Sequence, residues 1–490
     1  MLKGTKRSNR SGNREADCII IGAGPAGLTA ALEFLKHGVI PLVLEKDHIV
    51  GGIARTESYN GFHFDMGGHR FFSKSDYANT IWHDLLREDL LLRPRLSRIY
   101  YKHRFFVYPP QLCNTLKGLG LWESIKVLVS YVRWQVLPYR SVKTFEHWVT
   151  NAFGKRLFEV FFKTYTEKVW GISCTELRAE WAAQRIKNLS LAVVLRNFIH
   201  KTGTRFTTLI DHFHYPRRGP GMMWEAAGHK IRLGGGEVRM NADVVCVRRN
   251  GNRVNSVVVR EGSLETEING KHFISSMPLP ELIRKLDPSP PPNVLAAAGD
   301  LEHRAFLTVC LIVDANNLFP DNWIYIHEPD VRVARIQNYN NWSDAMTVDR
   351  TKTSLGLEYF CNQGDDLWRT SDAELIALAS GEIEAIGLAP AGKVVDGCVY
   401  RIPNAYPVYD STYAVNLETV KNFCDGIENL RTVGRNGLHR YNNMDHSMLS
   451  AMYATRMLLF GEQHNLWSIN AEQEYHEQIF TSRTSGASRK

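Results

Sequence analysis

The chain has 490 residues, 44% of them hydrophobic and 22% charged, a globular composition that excludes wholesale disorder. Its formal charge of +8 belongs to the ends: residues 1–14 hold five basic side chains and no acid, residues 481–490 hold three, and residues 15–480 balance to zero. That argues against a basic body made for nucleic acid, and the two tails read as solubilising. Residues 17–21 are a β-branched run ending at Gly22. A helical pattern follows over 25–36, then a second strand over 41–44 closed by Glu45, the β-α-β opening of a dinucleotide-binding fold. Residues 115–200 read as mostly helical, with Leu121, Ile125, Leu128 and Val129 at helical spacing, and again Leu157, Val160, Phe161 and Tyr165. The aromatic, basic stretch 122–140 is expected in the core of this helical unit, against the alternative of a segment lying on a membrane. Strands and glycine turns take over at 205–275, with strands expected over 238–247 and 254–259 around a turn at 250–252. After a proline-rich linker at 288–292, a strand-rich section runs over 304–360 and a helix over 372–387. The last elements are a strand over 430–433, a polar loop over 434–445 and a helix over 446–460.

The eight cysteines stand singly with no C-x-x-C pair, which favours a reducing, cytoplasmic compartment over a disulfide or zinc framework. No apolar run is long enough for a transmembrane helix. The apolar run after the basic N-terminus is broken by three glycines and a proline, which argues against a signal peptide.

Gly22-Ala23-Gly24-Pro25-Ala26-Gly27 fits G-x-G-x-x-G. Gly22 permits the tight turn, Gly24 admits a pyrophosphate to the backbone, and Gly27 lets helix and strand pack closely. Glu45, about 20 residues on, suits ribose hydroxyls and repels a 2′-phosphate. Just beyond lie Lys46, then Gly51-Gly52-Ile53-Ala54-Arg55 and Gly67-Gly68-His69-Arg70, glycine pairs that let backbone lie against a flat ligand.

This pattern resembles the FAD-binding fold shared by amine oxidases, protoporphyrinogen oxidases and UDP-galactopyranose mutases. The resemblance implies an α/β architecture: a Rossmann-like FAD-binding domain of the glutathione reductase type, an inserted helical domain and an antiparallel substrate sheet. It implies FAD contacts from Gly22, Gly24, Pro25, Ala26, Gly27, Glu45, Lys46, Gly52, Ala54, Arg55, Gly67, Gly68 and His69. Later contacts would come from Val245, Ser276, Gly434, Arg435, Met444, Asp445 and Ser447. The segment from Gly434-Arg435 through Arg440-Tyr441 to Asp445-His446-Ser447 resembles the G-R…R-Y…D-H-S run of the mutases. Lys168-Val169-Trp170 through Trp181 to Arg185 is similar to their K-V-W…W…R helix, which makes Arg185 a diphosphate ligand. The second phosphate arginine falls at Arg332 or Arg335, with Arg335 preferred and Asn338 nearby. Tyr406 and Tyr441 resemble tyrosines that bind the diphosphate.

The expected function is a redox-neutral mutase that interconverts pyranose and furanose forms of a nucleotide sugar, N5 of reduced flavin attacking the anomeric carbon. His69, Arg185, Arg335, Tyr406 and Tyr441 are its catalytic candidates. The alternative is an FAD-dependent oxidase, dehydrogenase or desaturase. NAD(P)H remains open as reductant; no metal and no nucleic acid are expected, and homo-oligomers stay open. The expected organisation is a tail over 1–16, FAD-binding segments over 17–110, 205–285 and 413–462, a helical insert over 111–204, a substrate domain over 286–412 and a tail over 463–490.

Overall fold

The computed structural model describes residues 15–108, 118–179 and 211–470. Its first layer is a five-stranded parallel sheet. Across the sheet the order is Glu237–Arg239, Pro41–Leu44, Ala16–Ile21, the C-terminal half of Leu264–Ser275, and Leu430–Thr432. Successive residues Cys18, Ile19 and Ile20 are all fully buried, so both faces of the central strand are covered, which explains its continuous apolar run.

Register places the site. Ile21 pairs with both Leu44 and Ser275, and Ser275 pairs with Thr432. Four parallel strands therefore end level, and the segments that leave them, at Gly22, Glu45, Ser276 and Gly434, emerge along one edge. Ligands of open α/β sheets bind outside that edge.

Leu264–Ser275 serves two sheets. Its first half pairs antiparallel with Arg253–Glu261, which pairs with Ala242–Asn250. The strand expected over 238–247 is in fact two, because Asn241 turns through φ +54° and sends the chain from the parallel sheet into the antiparallel one. Buried Asn429 fastens this junction. Its amide donates to the carbonyls of Val254 and Lys271 at 2.8 Å each and accepts from the Val254 N–H at 2.8 Å.

The second layer is a seven-stranded sheet. Its order is Val394–Pro407, His303–Val313, Thr353–Cys361, Arg335–Asn338, Trp323–Ile326, Ser97–Tyr101, Arg104–Val107. It is mixed rather than antiparallel, since Ser97–Tyr101 lies parallel to Trp323–Ile326. Ser97–Tyr101 and its antiparallel neighbour Arg104–Val107 come from the first 110 residues, so the substrate domain is not confined to 286–412. Alternation sorts its side chains: Leu307, Val309, Leu355 and Leu357 pack on helix Asp372–Ala385, while Phe306, Glu358, Arg335 and Tyr406 belong to the opposite face.

The helical insert contains Leu121–Val136, Phe145–Phe153 and Lys155–Phe158, the last running through a π-turn at Glu159–Lys163 into Thr164–Trp170. Here the structure corrects the sequence reading. The stretch 122–140 is not core: only Ser124, Val127 and Tyr131 of its helix are buried, and Trp122 is 77% exposed. At the chain's end, Leu466 and Trp467 are buried in the main core, so the ordered body extends past 462. The last long helix begins at Met444, after a short turn of helix at Gly434–Gly437 within the expected loop. Among the described residues, no helix is long and apolar enough to cross a membrane.

Replacing Asn429 with Ala strands the buried N–H and carbonyl of Val254, each worth about 1–3 kcal/mol when unpaired, and the half-buried carbonyl of Lys271. Urea unfolding of Asn429→Ala should show a loss of at least about 2 kcal/mol; a loss below about 1 kcal/mol would contradict the role given to this side chain.

Candidate active site

Along the level strand ends runs a cavity of about 720 Å³ that continues beneath the second sheet and the helical insert. At its nucleotide end, helix Pro25–Lys36 starts at Gly24 with no side-chain cap, proline at its first position and no acid in its first turn. Its first N–H groups are left for an anion. Gly22 holds φ +98°, and a Cβ on Gly27 would lie 1.8 Å from the Gly22 oxygen, so neither position accepts a side chain. Gly27 thus acts through packing and does not line the cavity, whereas Gly22, Gly24, Pro25 and Ala26 do. Glu45 accepts from the Ala23 N–H at 2.6 Å and the Asp47 N–H at 2.9 Å, and burial raises its pKa.

Gly52, Ala54 and Arg55 continue the wall. Arg55 is held by Glu57 at 2.7 Å and Asp47 at 3.0 Å. Lys46 lies on the rim, 4.0 Å from Glu281. Ser276 donates to the Ile21 carbonyl at 3.0 Å, and Gly434 donates to Ser450 at 2.9 Å. Val245 is misplaced by one residue: a bulge between Val244 and Cys246 presents Ala242, Asp243 and Val244 to the cavity instead.

The second sheet supplies the other wall. Arg335 Nε donates to Glu358 Oε2 at 3.0 Å, Nη2 donates to the same oxygen, and Gln337 donates to Oε1 at 2.5 Å. Glu358 is only 1% exposed by side chain, so its charge is compensated by this guanidinium, which raises the Arg335 pKa against the cost of burial. Tyr406 and Tyr441 stack with centroids 5.2 Å apart at 23°. The Arg435 guanidinium lies 4.4 Å from the Tyr441 ring and donates to the carbonyls of Asn442 at 2.8 Å and Ala405 at 3.2 Å. Trp170 packs edgewise on Tyr406 and tilted against Tyr441.

Between the walls lies the Gly67-Gly68-His69 loop. A Cβ on Gly68 would meet Gln337 at 3.0 Å, so the loop packs directly on the Arg335–Glu358–Gln337 group. His69 Nε2 bonds the Met66 carbonyl at 2.9 Å, and its pKa is pushed down to about 4 by burial and by Arg435. Met444, Asp445 and Ser447, at the start of the last helix, also line the cavity. Asp445 accepts from Ser73 at 2.8 Å. Its carboxylate stands in the first turn of that helix, so the helix end is less positive than expected from its dipole alone.

The cavity therefore gathers His69, Arg335, Tyr406 and Tyr441 with most of the expected cofactor contacts. Two expected ligands lie elsewhere. Arg332 is exposed in a loop pinned by Glu382, which accepts from the N–H groups of Arg332 at 2.5 Å and Val333 at 3.0 Å. Asn338 is buried, donating to the Phe319 carbonyl at 3.1 Å, and does not line the cavity. Arg185 lies outside the described residues. Glu358 and Lys168 escaped the sequence reading as structural partners. Glu358 had a signal, a lone acid within the otherwise uncharged strand Thr353–Cys361. Lys168, driven down to about 8 by burial, donates to the carbonyls of Glu328 at 2.6 Å and Val333 at 3.2 Å, anchoring the loop that delivers Arg335.

The sequence pattern of the family described as "Flavin containing amine oxidoreductase" matches residues 25–416. Among solved structures, reduced UDP-galactopyranose mutase superposes with a TM-score of 0.80 at 22% identity, over 94% of this chain and 98% of that one. A candidate protoporphyrinogen oxidase from Exiguobacterium sp. 255-15 gives 0.68 at 15% identity, over 91% and 100%. The chloroplastic prolycopene isomerase of Daucus carota is 43% identical over 67 residues, which are 14% of this chain and only 11% of that protein.

Burial also holds His303 down to about 4 and His327 to about 3. A free histidine titrates near 6.5. As pH falls from 6.5 to 4.5, the unfolded chain gains protons on His69, His303 and His327 that the fold refuses, and stability is lost. Asp65 opposes this. Its carboxyl, pushed up to about 7 by burial, takes a proton in the fold before the unfolded carboxyl does, so its contribution grows as pH falls. Burial also depresses His439 and raises Glu45, and since the depressed histidines outnumber the raised carboxyls, the net effect is a loss of stability as pH falls. Denaturation midpoints should fall steadily from pH 6.5 to 4.5; a rise over that window would contradict the assignment.

Proposed function

The chain belongs to the flavin-containing amine oxidoreductase family, and from that premise we propose that it is an FAD-dependent, redox-neutral mutase of a nucleotide-activated sugar. One observation carries this reading: Arg335, Arg435, Tyr406 and Tyr441 meet on a single cavity wall, facing the glycine loop of His69. A diphosphate is recognised by planar guanidinium groups and phenolic hydroxyls in such an arrangement.

The residues present fit FAD. The uncapped helix start at Gly24 and the side-chain-free approaches at Gly22 and Gly52 suit a pyrophosphate, and Glu45 suits a ribose. Reduced FAD, bound there, supplies a nucleophilic nitrogen to the sugar and needs no net exchange of electrons. The protein's part is orientation and charge. Glu358 engages Nε and Nη2 of Arg335, fixing the guanidinium plane and leaving Nη1 for a diphosphate oxygen. The same pairing keeps the wall from becoming strongly positive, so a leaving diphosphate is held without being trapped. Lys168 fixes the loop before Arg335, and neutral His69 positions the Gly67–Gly68 backbone. Expulsion of a charged leaving group from the sugar is eased where those donors stand ready.

A second reading draws on the apolar part of the cavity, lined by Phe153, Leu157, Phe161, Phe162 and Val169. That lining favours an oxidoreductase or isomerase of an isoprenoid-like substrate, the class named by the prolycopene isomerase relative.

The two readings separate in one anaerobic assay. Dithionite-reduced protein is incubated with UDP-galactose, UDP-glucose and GDP-sugars, and pyranose and furanose forms are resolved by chromatography. The proposal expects interconversion of one of them by reduced protein alone, with no acceptor consumed, and a roughly 100-fold lower kcat/KM in Arg335→Ala, the size of a lost buried charge contact. Absence of any interconversion, with substrate-dependent peroxide formation from an isoprenoid, would replace it by the second reading.

A further inference from the structure

We propose that the outer face of helix Leu121–Val136 docks on an anionic lipid bilayer. The buried residues Ser124, Val127 and Tyr131 define the inner face of this helix. The opposite side carries Leu121, Trp122, Ile125, Val129, Val132 and Val136, at the spacing of an apolar stripe, and they are between 42% and 77% exposed. With Leu128, Leu137 and Val142, this segment holds nine of the eighteen large hydrophobic residues exposed among the described residues. Single exposed apolar side chains need no explanation, but a concentrated stripe does.

Charge identifies the occupant. From residue 124 to residue 145 the sequence contains Lys126, Arg133, Arg140 and Lys143 and no acid. The acids that bound it are both paired, Glu123 with Lys126 at 2.9 Å and Arg156 at 2.7 Å, and Glu146 with Lys155. Among the described residues, no carboxylate forms a salt bridge with Arg133, Arg140 or Lys143. An apolar stripe rimmed by cations, with a tryptophan near one end, has the composition of a helix lying in a lipid interface. A second copy of the chain fits less well, because a two-fold contact would press this single-signed rim against itself.

Continuity with the cavity gives the surface a use. Val127, on the inner face of the same helix, lines the cavity together with Phe153, Leu157 and Phe161. One helix thickness, about 10 Å, then separates the bilayer from the apolar part of the active-site cavity. This holds whichever substrate the cavity takes.

The test is flotation of the full-length holoprotein with vesicles of phosphatidylcholine alone or with a third of phosphatidylglycerol. The expected result is recovery with the anionic vesicles, weakened by salt, and little with neutral ones. Trp122→Ser/Val129→Ser/Val132→Ser should lower recovery at least tenfold, with flavin content and thermal midpoint unchanged because these side chains are exposed. Arg133→Glu/Arg140→Glu should lower it by about tenfold or more, and Val415→Ser, on an exposed site elsewhere, should not change it. Every variant keeps the basic tails, so the differences report the helix. Three results would each overturn the proposal: no flotation of the parent, equal flotation of the triple variant, or equal binding to neutral vesicles. A dimer dissolved by the same triple substitution, without vesicle binding, would assign the face to a second copy instead.

Discussion

The level ending of four parallel strands is the constraint on which the site depends. Because Ile21, Leu44, Ser275 and Thr432 stand in register, the segments that follow them open onto one line. These segments come from distant parts of the chain, and together they present a glycine turn, a carboxylate, a hydroxyl and a second glycine along one edge. A slip of one residue in any strand would move its loop off that line. Asn429 matters for the same reason, since it holds the place where one strand leaves the parallel sheet for the antiparallel one.

The second sheet solves a different problem, that of putting charge into a buried wall. Arg335 enters as an ion pair with Glu358 on the neighbouring strand, and Gln337 takes the remaining carboxylate oxygen. A buried pair of this kind adds little net stability, but removing either partner would leave the other uncompensated. Its value lies in fixing a guanidinium where the glycine loop of His69 rests. Arg435 is satisfied differently, by carbonyl oxygens, and so adds positive charge beside the stacked tyrosines.

Much of this was legible in the sequence where backbone geometry dictates residue type. Gly22 and Gly27 could be assigned separate roles because only a residue without a side chain fits either position. Helix Pro25–Lys36 and strand Pro41–Leu44 have the expected bounds because proline and the apolar runs mark them. What was not legible depended on register and on facing. Val245 and Val244 differ by a bulge that no composition announces, and Arg332 and Arg335 by where a strand begins. Helix Leu121–Val136 shows the limit of periodicity: it has apolar residues on two sides, and spacing alone does not say which side meets protein. Arg335 could be found, but its partner Glu358 sits on another strand and becomes a partner only through pairing.

The proposed function depends on the wall of Arg335, Arg435, Tyr406 and Tyr441 recognising a diphosphate beside the flavin. Calorimetric titration of the holoprotein with UDP and GDP tests this most directly, since it needs no knowledge of the sugar. Saturable one-to-one binding of one of them is expected, weakened about 100-fold by Arg335→Ala and reduced by Tyr441→Phe. Heat that is absent with both nucleotides, or binding that Arg335→Ala leaves unchanged, would contradict it.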